Sequence, residues 1–203
     1  MGTNTLIWAF IGFISGAIPF SVLLARRFAQ QDIRRVGDGN PGAANAWRAG
    51  GWRVGVLALV LDFLKGALPV GLARFLVGVD GWALVPVGLA PVVGHAFSPF
   101  LRGRGGKAIA TTFGIWCGLT LYEAPSVLGV CMILSYFAQT VDAWGAVLAM
   151  LGLGVYLLAR QAGAVLLVIW SGNLAILVWK HRRALREPIR LSPWLLKLLR
   201  QAH

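Results

Sequence analysis

The sequence predicts an all-α integral membrane protein, a bundle of about seven transmembrane helices with cytoplasmic glycine-rich loops. Composition is the first reason: 58% of the 203 residues are hydrophobic and only 13% are charged. A soluble domain averages about 45–50% apolar and about 25% charged residues. The distribution of charge is the second reason. Sixteen of the nineteen Lys and Arg residues lie in the segments 26–53, 102–107 and 180–200, which flank long apolar stretches.

The apolar stretches divide at turn-forming residues into seven predicted helices, since about 20 helical residues cross a bilayer core. The remaining apolar stretch after the fourth helix is long enough for three more, with breaks expected near 140–142 and 160–163. The predicted spans are 5–25, 53–77, 82–100, 108–121 and three helices within 126–179.

An odd number of helices places the two termini on opposite sides of the membrane. Lys and Arg concentrate on the cytoplasmic side, so we expect the amino terminus outside and the carboxyl terminus in the cytoplasm. We expect residues 1–181 to form the membrane domain and 182–203 a basic amphipathic cytoplasmic tail on the membrane surface. The net charge of +12 could suggest nucleic acid, but its placement beside the spans indicates membrane lipids instead.

The first polar segment that could carry chemistry is 37–50, which contains four glycines, two asparagines, Asp38 and Arg48. Glycines permit positive φ and close approach to a ligand, and successive N–H groups in such turns bind anions. Arg can grip a phosphate with two parallel hydrogen bonds. A plain turn between two helices is an equally good interpretation of this composition.

The second polar segment, 94–107, ends in Gly105-Gly106-Lys107 directly before an apolar helix. Free N–H groups, the positive end of a helix dipole and a cation then coincide, which favours a bound phosphate. A basic loop that only sets membrane orientation is the alternative. His95 is a general base, a phosphate ligand or an interfacial side chain.

Two further groups of polar residues lie within or at the ends of spans. Asp62 and Lys65 are charged residues in the second span, and their i, i+3 spacing predicts an ion pair that faces the protein interior. His181 ends the last span beside several basic residues and has a side chain that can titrate near neutral pH.

These residues resemble the bacterial acyl-phosphate:glycerol-3-phosphate acyltransferases of the PlsY family, and the resemblance covers most of the chain. The segment 37–50 is similar to the family pattern GSGNxGATNxxRxxG, and 61–66 to LDxxKG. Residues 94–111 are similar to GHxFxxFLxFKGGKGVAT. Further similarity lies at 15–20 and 32–34, and 181–182 falls where the family has its third motif, HRxNIxRL.

The resemblance implies seven helices in the bacterial inner membrane and transfer of an acyl group from acyl phosphate to the sn-1 hydroxyl of glycerol 3-phosphate, giving lysophosphatidic acid. It implies no metal or nucleotide cofactor. We expect the catalytic residues to be Lys107, His181 and Asp38. The expected substrate-binding residues are Gly39, Asn40, Asn45, Arg48, His95, Gly105 and Gly106.

Among the departures from the family patterns, Asp38, Ala44, Ala108 and Ala184 replace Ser, Thr, Gly and Asn. An anionic Asp38 repels a phosphate unless it is protonated or paired. It would otherwise serve as a general base or favour a cationic or neutral acceptor. The alternative function is therefore a non-catalytic or substrate-shifted relative that binds lipid or a phosphorylated metabolite.

Overall fold

The computed structural model describes residues 2–201, and within them the regular secondary structure is helical apart from an isolated antiparallel bridge between Gln139 and Leu191. The predicted all-α fold class is confirmed. The α-helices are α1 (Thr3–Ala17), α2 (Phe20–Leu24), α3 (Ala43–Gly71), α4 (Leu84–Ala96), α5 (Ile109–Thr120), α6 (Glu123–Ala138), α7 (Asp142–Ala159), α8 (Ala164–His181) and α9 (Pro193–Gln201).

Five helical stretches among the described residues are long and apolar enough to cross a membrane. Two shorter apolar helices, α5 and α6, complete the predicted set. The breaks predicted near 140–142 and 160–163 coincide with the ends of α6, α7 and α8. The five long stretches are Thr3–Ala29, Ala43–Leu76, Gly81–Leu101, Asp142–Ala159 and Ala164–His181.

In the first two spans, the positions at which the helices begin, break or bend differ from the sequence prediction. The backbone is extended at Ile18, because the residue before a proline avoids the α region, and the helix restarts after Pro19. Helix α3 begins at Ala43 rather than near residue 53. Gly51 interrupts α3 with φ 74° and ψ −175°, which only glycine adopts easily. The predicted polar loop therefore ends in a short helical segment.

The chain divides between Tyr122 and Glu123 into two compact units. In the first unit, α1 packs on α4 and α3 packs on α5. Glycines make these approaches possible: a Cβ at Gly94 would overlap the Phe13 carbonyl, and one at Gly114 would overlap the Phe63 carbonyl. Small residues let membrane helices pack closely in this way.

In the second unit, α7 packs on α6 and α8, and the tail folds back onto the end of α6. Ser192 Oγ and Trp194 Nε1 both donate to the Phe137 carbonyl at 2.6 Å. These bonds satisfy a carbonyl that the helix end leaves without an intrahelical partner. A surface role for the tail stays a prediction, and its residues 202–203 lie outside the described part of the chain.

A buried ion pair joins three helices of the first unit, α2, α3 and α5. Lys65 Nζ lies 2.8 Å from Asp62 Oδ1, and both side chains are almost fully buried. Lys65 also donates to the Ile18 carbonyl at 2.9 Å. Ser21 Oγ donates to Asp62 Oδ2, and Thr111 Oγ1 donates to the Asp62 carbonyl. The segment 18–21 and α5 are thus tied to α3 at the Asp62–Lys65 pair, which lies in the interior as the i, i+3 spacing predicts.

Removing one member of this pair should destabilise the protein strongly, because it leaves the other charge buried without a counter-ion. We expect Asp62→Asn or Lys65→Met to lower the free energy of unfolding by about 3 kcal/mol or more. The double variant should lose less than the sum of the two single losses. Denaturation in detergent measures this coupling, with exposed Lys197→Met as the control. Strictly additive losses would contradict the pairing.

Helix α5 follows a residue in the left-handed region, Ala108, with φ 62° and ψ 18°. An L-residue pays roughly 1–2 kcal/mol there, whereas glycine does not. In contrast, Ala110 lies within α5, where alanine is favoured over glycine by about 1 kcal/mol.

We therefore expect Ala108→Gly to be more stable than the matched variant Ala110→Gly by about 2–3 kcal/mol. Thermal unfolding of the two purified variants in the same detergent gives the comparison. Equal losses of stability would show that the backbone at residue 108 is not strained.

Candidate functional site

The first glycine-rich loop closes around the Asp38 carboxylate. Gly37 and Gly39 flank it with φ of 57° and 72°. Asp38 Oδ1 accepts hydrogen bonds from the Asn40 amide at 3.1 Å and from Asn45 Nδ2 at 2.8 Å. Asn45 is 1% exposed and also donates to the Asn40 carbonyl at 3.0 Å. Asn45 therefore holds the loop against the first turn of α3.

A continuous chain of hydrogen bonds links this loop to the second one. Arg48 Nη1 donates to Asn45 Oδ1 at 2.7 Å, so the amide of Asn45 uses both of its ends. Lys107 Nζ donates to Asp38 Oδ2 at 2.8 Å and forms an ion pair with it. The Arg48–Asn45–Asp38–Lys107 chain thus brings together two cations that lie 59 positions apart in the sequence.

The charges around the first loop determine the protonation states of Asp38 and of the nearby Asp32. Burial raises the pKa of Asp38, but three hydrogen bonds, the strongest from Lys107, lower that pKa by more, to about 2. The Asp32 carboxylate contacts Arg34 and Arg26 nearby. Its hydrogen bond from Arg34 holds the pKa of Asp32 well below its usual range. Both carboxylates are therefore anionic at neutral pH, and each is paired with a cation.

The second loop folds back onto the end of α4. The Gly106 amide donates to the His95 carbonyl at 3.1 Å. A Cβ on Gly105 would overlap that carbonyl, and one on Gly106 would overlap the His95 imidazole. On its other side, His95 Nδ1 lies 3.3 Å from Thr111 Oγ1 and 4.0 Å from Asp62 Oδ1. His95 is therefore buried between the Gly105–Gly106 turn and Thr111, and its role in binding substrate stays a prediction.

A cleft of about 160 Å³ lies beside the two loops. Sequence reasoning missed several of its lining residues. Lys65 carried a signal, because a lysine within a span is rare. Ser98 carried a weaker one, and its hydroxyl donates to the Ala17 carbonyl at 2.6 Å. The lining residues are Gly16, Ala17, Ile18, Pro19, Pro41, Lys65, His95, Ser98, Leu101 and Gly106.

Nine of the ten predicted site residues lie in the two loops and the end of α4, within the first unit. His181 belongs to the second unit, where it is 2% exposed with Nδ1 2.8 Å from the Leu177 carbonyl. Its membership of the site stays a prediction. Over the described residues, no three His, Cys, Asp or Glu side chains converge as a metal site. Ala44 is exposed, so its missing hydroxyl leaves no buried group unsatisfied.

Comparison with known proteins agrees with this arrangement. The sequence model of the family described as glycerol-3-phosphate acyltransferase matches residues 6–190. Glycerol-3-phosphate acyltransferase 1 of Thermotoga maritima is 36% identical over 194 residues, covering 89% of this chain and 95% of the relative. The glycerol-3-phosphate acyltransferase of Pseudomonas aeruginosa is 38% identical over 189 residues, covering 90% and 95%.

Two crystal structures of PlsY (YgiH), described as an integral membrane glycerol 3-phosphate acyltransferase, share the fold. The glycerol 3-phosphate form superposes with a TM-score of 0.83 at 28% identity, covering 90% of each chain. The lysophosphatidic acid form gives a TM-score of 0.79 at 27% identity, with the same coverage. The resemblance drawn from the motifs is confirmed: this chain is an integral membrane protein that belongs to the glycerol-3-phosphate acyltransferase family.

Proposed function

We propose that this protein transfers a fatty acyl group from acyl phosphate to the sn-1 hydroxyl of glycerol 3-phosphate and so makes lysophosphatidic acid for phospholipid biosynthesis. The observation that carries the proposal is the Arg48–Asn45–Asp38–Lys107 chain. It holds two cations beside a glycine turn, in a protein whose relatives are glycerol-3-phosphate acyltransferases.

Both proposed substrates carry a phosphate, and the loops offer complementary groups. The Arg48 guanidinium is exposed and has five N–H donors, one of which binds Asn45. Lys107 lies at the amino end of α5, where the helix dipole also favours an anion. The Gly105–Gly106 turn, which directly precedes Lys107, is buried against His95. These groups are suited to hold the glycerol phosphate and to stabilise charge on the departing phosphate.

The proposed reaction needs little more than positioning. The acceptor hydroxyl oxygen attacks the acyl carbonyl carbon, the bond from that carbon to the phosphate oxygen breaks, and inorganic phosphate departs. The hydroxyl proton passes to the departing phosphate, which balances the charges. Acyl phosphate is already an activated donor, so holding the two reactants in register supplies much of the rate.

The acyl chain lies outside the polar cleft in this proposal. The polar cleft is far too small to enclose a whole fatty acyl substrate. The surrounding helices expose apolar side chains to lipid, among them Phe10, Leu23 and Phe28 on the first span. We infer that the chain reaches the site from the bilayer, with the phosphate end in the cleft.

We propose the bacterial inner membrane as the location, with both glycine-rich loops and the carboxyl terminus in the cytoplasm and the amino terminus outside. The concentration of Lys and Arg in 26–53, 102–107 and 180–200 supports this orientation. Asp80 and Glu123 lie at the opposite helix ends, where Arg74 and Arg160 are the exceptions. His181 is proposed as a further catalytic residue from its position in the third family motif.

One observation favours the substrate-shifted alternative. Asp38 places a negative charge in contact with Lys107, where the family pattern has a serine. An acceptor without a phosphate would suffer less repulsion there. Acylation of neutral glycerol in preference to glycerol 3-phosphate would support this alternative against the main proposal.

The direct test is acyl transfer by the purified protein with acyl phosphate and glycerol 3-phosphate. We expect Arg48→Ala to raise the KM for glycerol 3-phosphate by about tenfold or more, since a charge-assisted hydrogen bond is worth about 1.5–3 kcal/mol. Arg53→Ala is the matched control, because Arg53 lies on the same helix over the Trp52 ring. A folded protein that forms no acylated product would overturn the proposal, and equal effects of the two variants would overturn the role of Arg48.

The depressed pKa of Asp38 predicts how acid affects the link between the loops. A carboxyl whose folded pKa is about 2 stabilises the folded state above its unfolded value near 3.9. That stabilisation is lost as the pH falls towards 2.

We expect the wild type to be more stable than Asp38→Asn at pH 7, by less than about 1 kcal/mol because the pair is half-exposed. The difference should vanish between about pH 4 and pH 2. Thermal unfolding across this range measures it. A difference that stays constant with pH would show that Asp38 is not held as an anion.

A further inference from the structure

The Asp38 carboxylate binds the Lys107 ammonium, the same group that binds a substrate anion in the proposed function. Lys107 Nζ donates to Asp38 Oδ2 at 2.8 Å. Among the described residues, Asp38 is the hydrogen-bonding partner of this ammonium and no second one exists. The family pattern has a serine at this position, which carries no charge to compete with a phosphate. The contact is therefore a property of this chain rather than of the motif it resembles.

The two partners differ in how firmly they are held. Asp38 is fixed through its other oxygen, Oδ1, by the Asn40 amide and the buried Asn45 side chain. Those two bonds remain if Lys107 leaves, so the carboxylate keeps its place and two of its donors. Lys107 ends a flexible four-carbon stem, and a lysine ammonium is a mobile point charge. The Lys107 side chain can therefore change its orientation, whereas the Asp38 side chain is held in place.

Both side chains are open to solvent, which allows exchange. The Lys107 side chain is 27% exposed and that of Asp38 is 48% exposed. The Asp62 and Lys65 side chains of the buried pair, in contrast, are only 3% and 2% exposed. An anion from solution can therefore reach Lys107 without unfolding either loop.

We propose that Asp38 is an internal competitor for Lys107, an electrostatic latch that a substrate phosphate must displace before it binds. In the ligand-free protein the carboxylate holds Lys107 at the mouth of the site. A phosphate takes the ammonium from it, and Asp38 remains on Asn40 and Asn45. This inference rests on the proposed function for the identity of the substrate, while its electrostatic core applies to any phosphate ligand at Lys107.

The latch lowers the affinity for phosphate by a modest factor, because an ion pair this exposed is weak. Release of such a pair should tighten phosphate binding by about three- to fivefold. Its benefit is that Lys107 stays ordered beside the Gly105–Gly106 turn when no ligand is bound. The expected signature is therefore a change in phosphate affinity and in the KM for glycerol 3-phosphate.

The test uses the full-length protein in detergent and inorganic phosphate as the probe, with binding measured by equilibrium dialysis. Asp38→Asn keeps the size of the side chain and the acceptor for Asn40 and removes the charge. Asp38→Ser is the second variant in case the first does not fold. Both should bind phosphate about three- to fivefold more tightly than the wild type. The KM for glycerol 3-phosphate should fall in parallel.

Asp32→Asn is the matched control. It removes one negative charge from the same segment, but Asp32 pairs with Arg26 and Arg34 rather than with Lys107. Phosphate affinity should stay at the wild-type value in this variant. An equal gain in Asp32→Asn would mean that net charge alone is responsible, and would overturn the latch.

A double-variant cycle separates competition for Lys107 from simple repulsion by Asp38. In a Lys107→Gln background the ammonium that Asp38 binds is absent, so Asp38→Asn should give a much smaller gain in phosphate affinity. The same gain in both backgrounds would overturn the latch and leave only repulsion. An unchanged or weakened affinity in both Asp38 variants would overturn it as well, as would phosphate binding that does not depend on Lys107.

The binding measurements test the latch and the activity measurements test the proposed function, so the two proposals can be overturned separately. If no variant acylates glycerol 3-phosphate while phosphate binding follows the predicted pattern, the proposed function is wrong and the latch stands. If acyl transfer occurs but Asp38→Asn loses it through a hundredfold lower kcat with unchanged phosphate affinity, the latch is wrong and Asp38 acts on the reacting atoms.

Discussion

The buried Asp62–Lys65 pair is the constraint on which the first unit depends. A charge inside a membrane protein is costly unless it is paired and hydrogen-bonded, and here the partners come from neighbouring segments. Lys65 binds the Ile18 carbonyl where the first span breaks, and Asp62 binds Ser21 just beyond the break. Thr111 ties α5 to the same point. The helix ends that carry both glycine-rich loops are thereby fixed, which is why loops of such flexible composition can present defined geometry.

The loops are joined to each other by a second charge, that of Asp38. The buried pair sets where the helices lie, while Asp38 sets where the Lys107 ammonium lies relative to the first loop. The two carboxylates differ in exposure, and this difference separates their roles. Asp62 is only 3% exposed and ties neighbouring segments together. Asp38 is half-exposed and can exchange its partner. The Asp62–Lys65 pair is thus a permanent contact, and the Asp38–Lys107 pair is a replaceable one in the same unit.

Much of the fold could be predicted from sequence because apolar length and charge placement are local properties. The breaks near 140–142 and 160–163 and the pairing of Asp62 with Lys65 are of this kind. The early start of α3 at Ala43 was missed, because a short helical segment rich in glycine and polar residues has the composition of a loop. Similarity to the family motifs predicted ten site residues, nine of which the structure places in the first unit. It could not reveal that Asp38 contacts Lys107, since that contact depends on how α3 and α5 are held in space.

The carboxylate at position 38 also reaches Arg48, through the orientation of one amide. Asn45 donates from Nδ2 to Asp38 and accepts at Oδ1 from Arg48. A carboxylate only accepts and a guanidinium only donates, so the reverse orientation of the amide would place like groups together at both ends. Serine at position 38 would impose no such restriction, because a hydroxyl both donates and accepts. Together with Arg48 and the Asn40 carbonyl, which accepts from the same Nδ2, Asp38 therefore fixes the direction of the chain. It restrains Arg48 through Asn45 while it holds Lys107 directly, and so the two cations are positioned by one residue that sequence comparison alone marks as a departure.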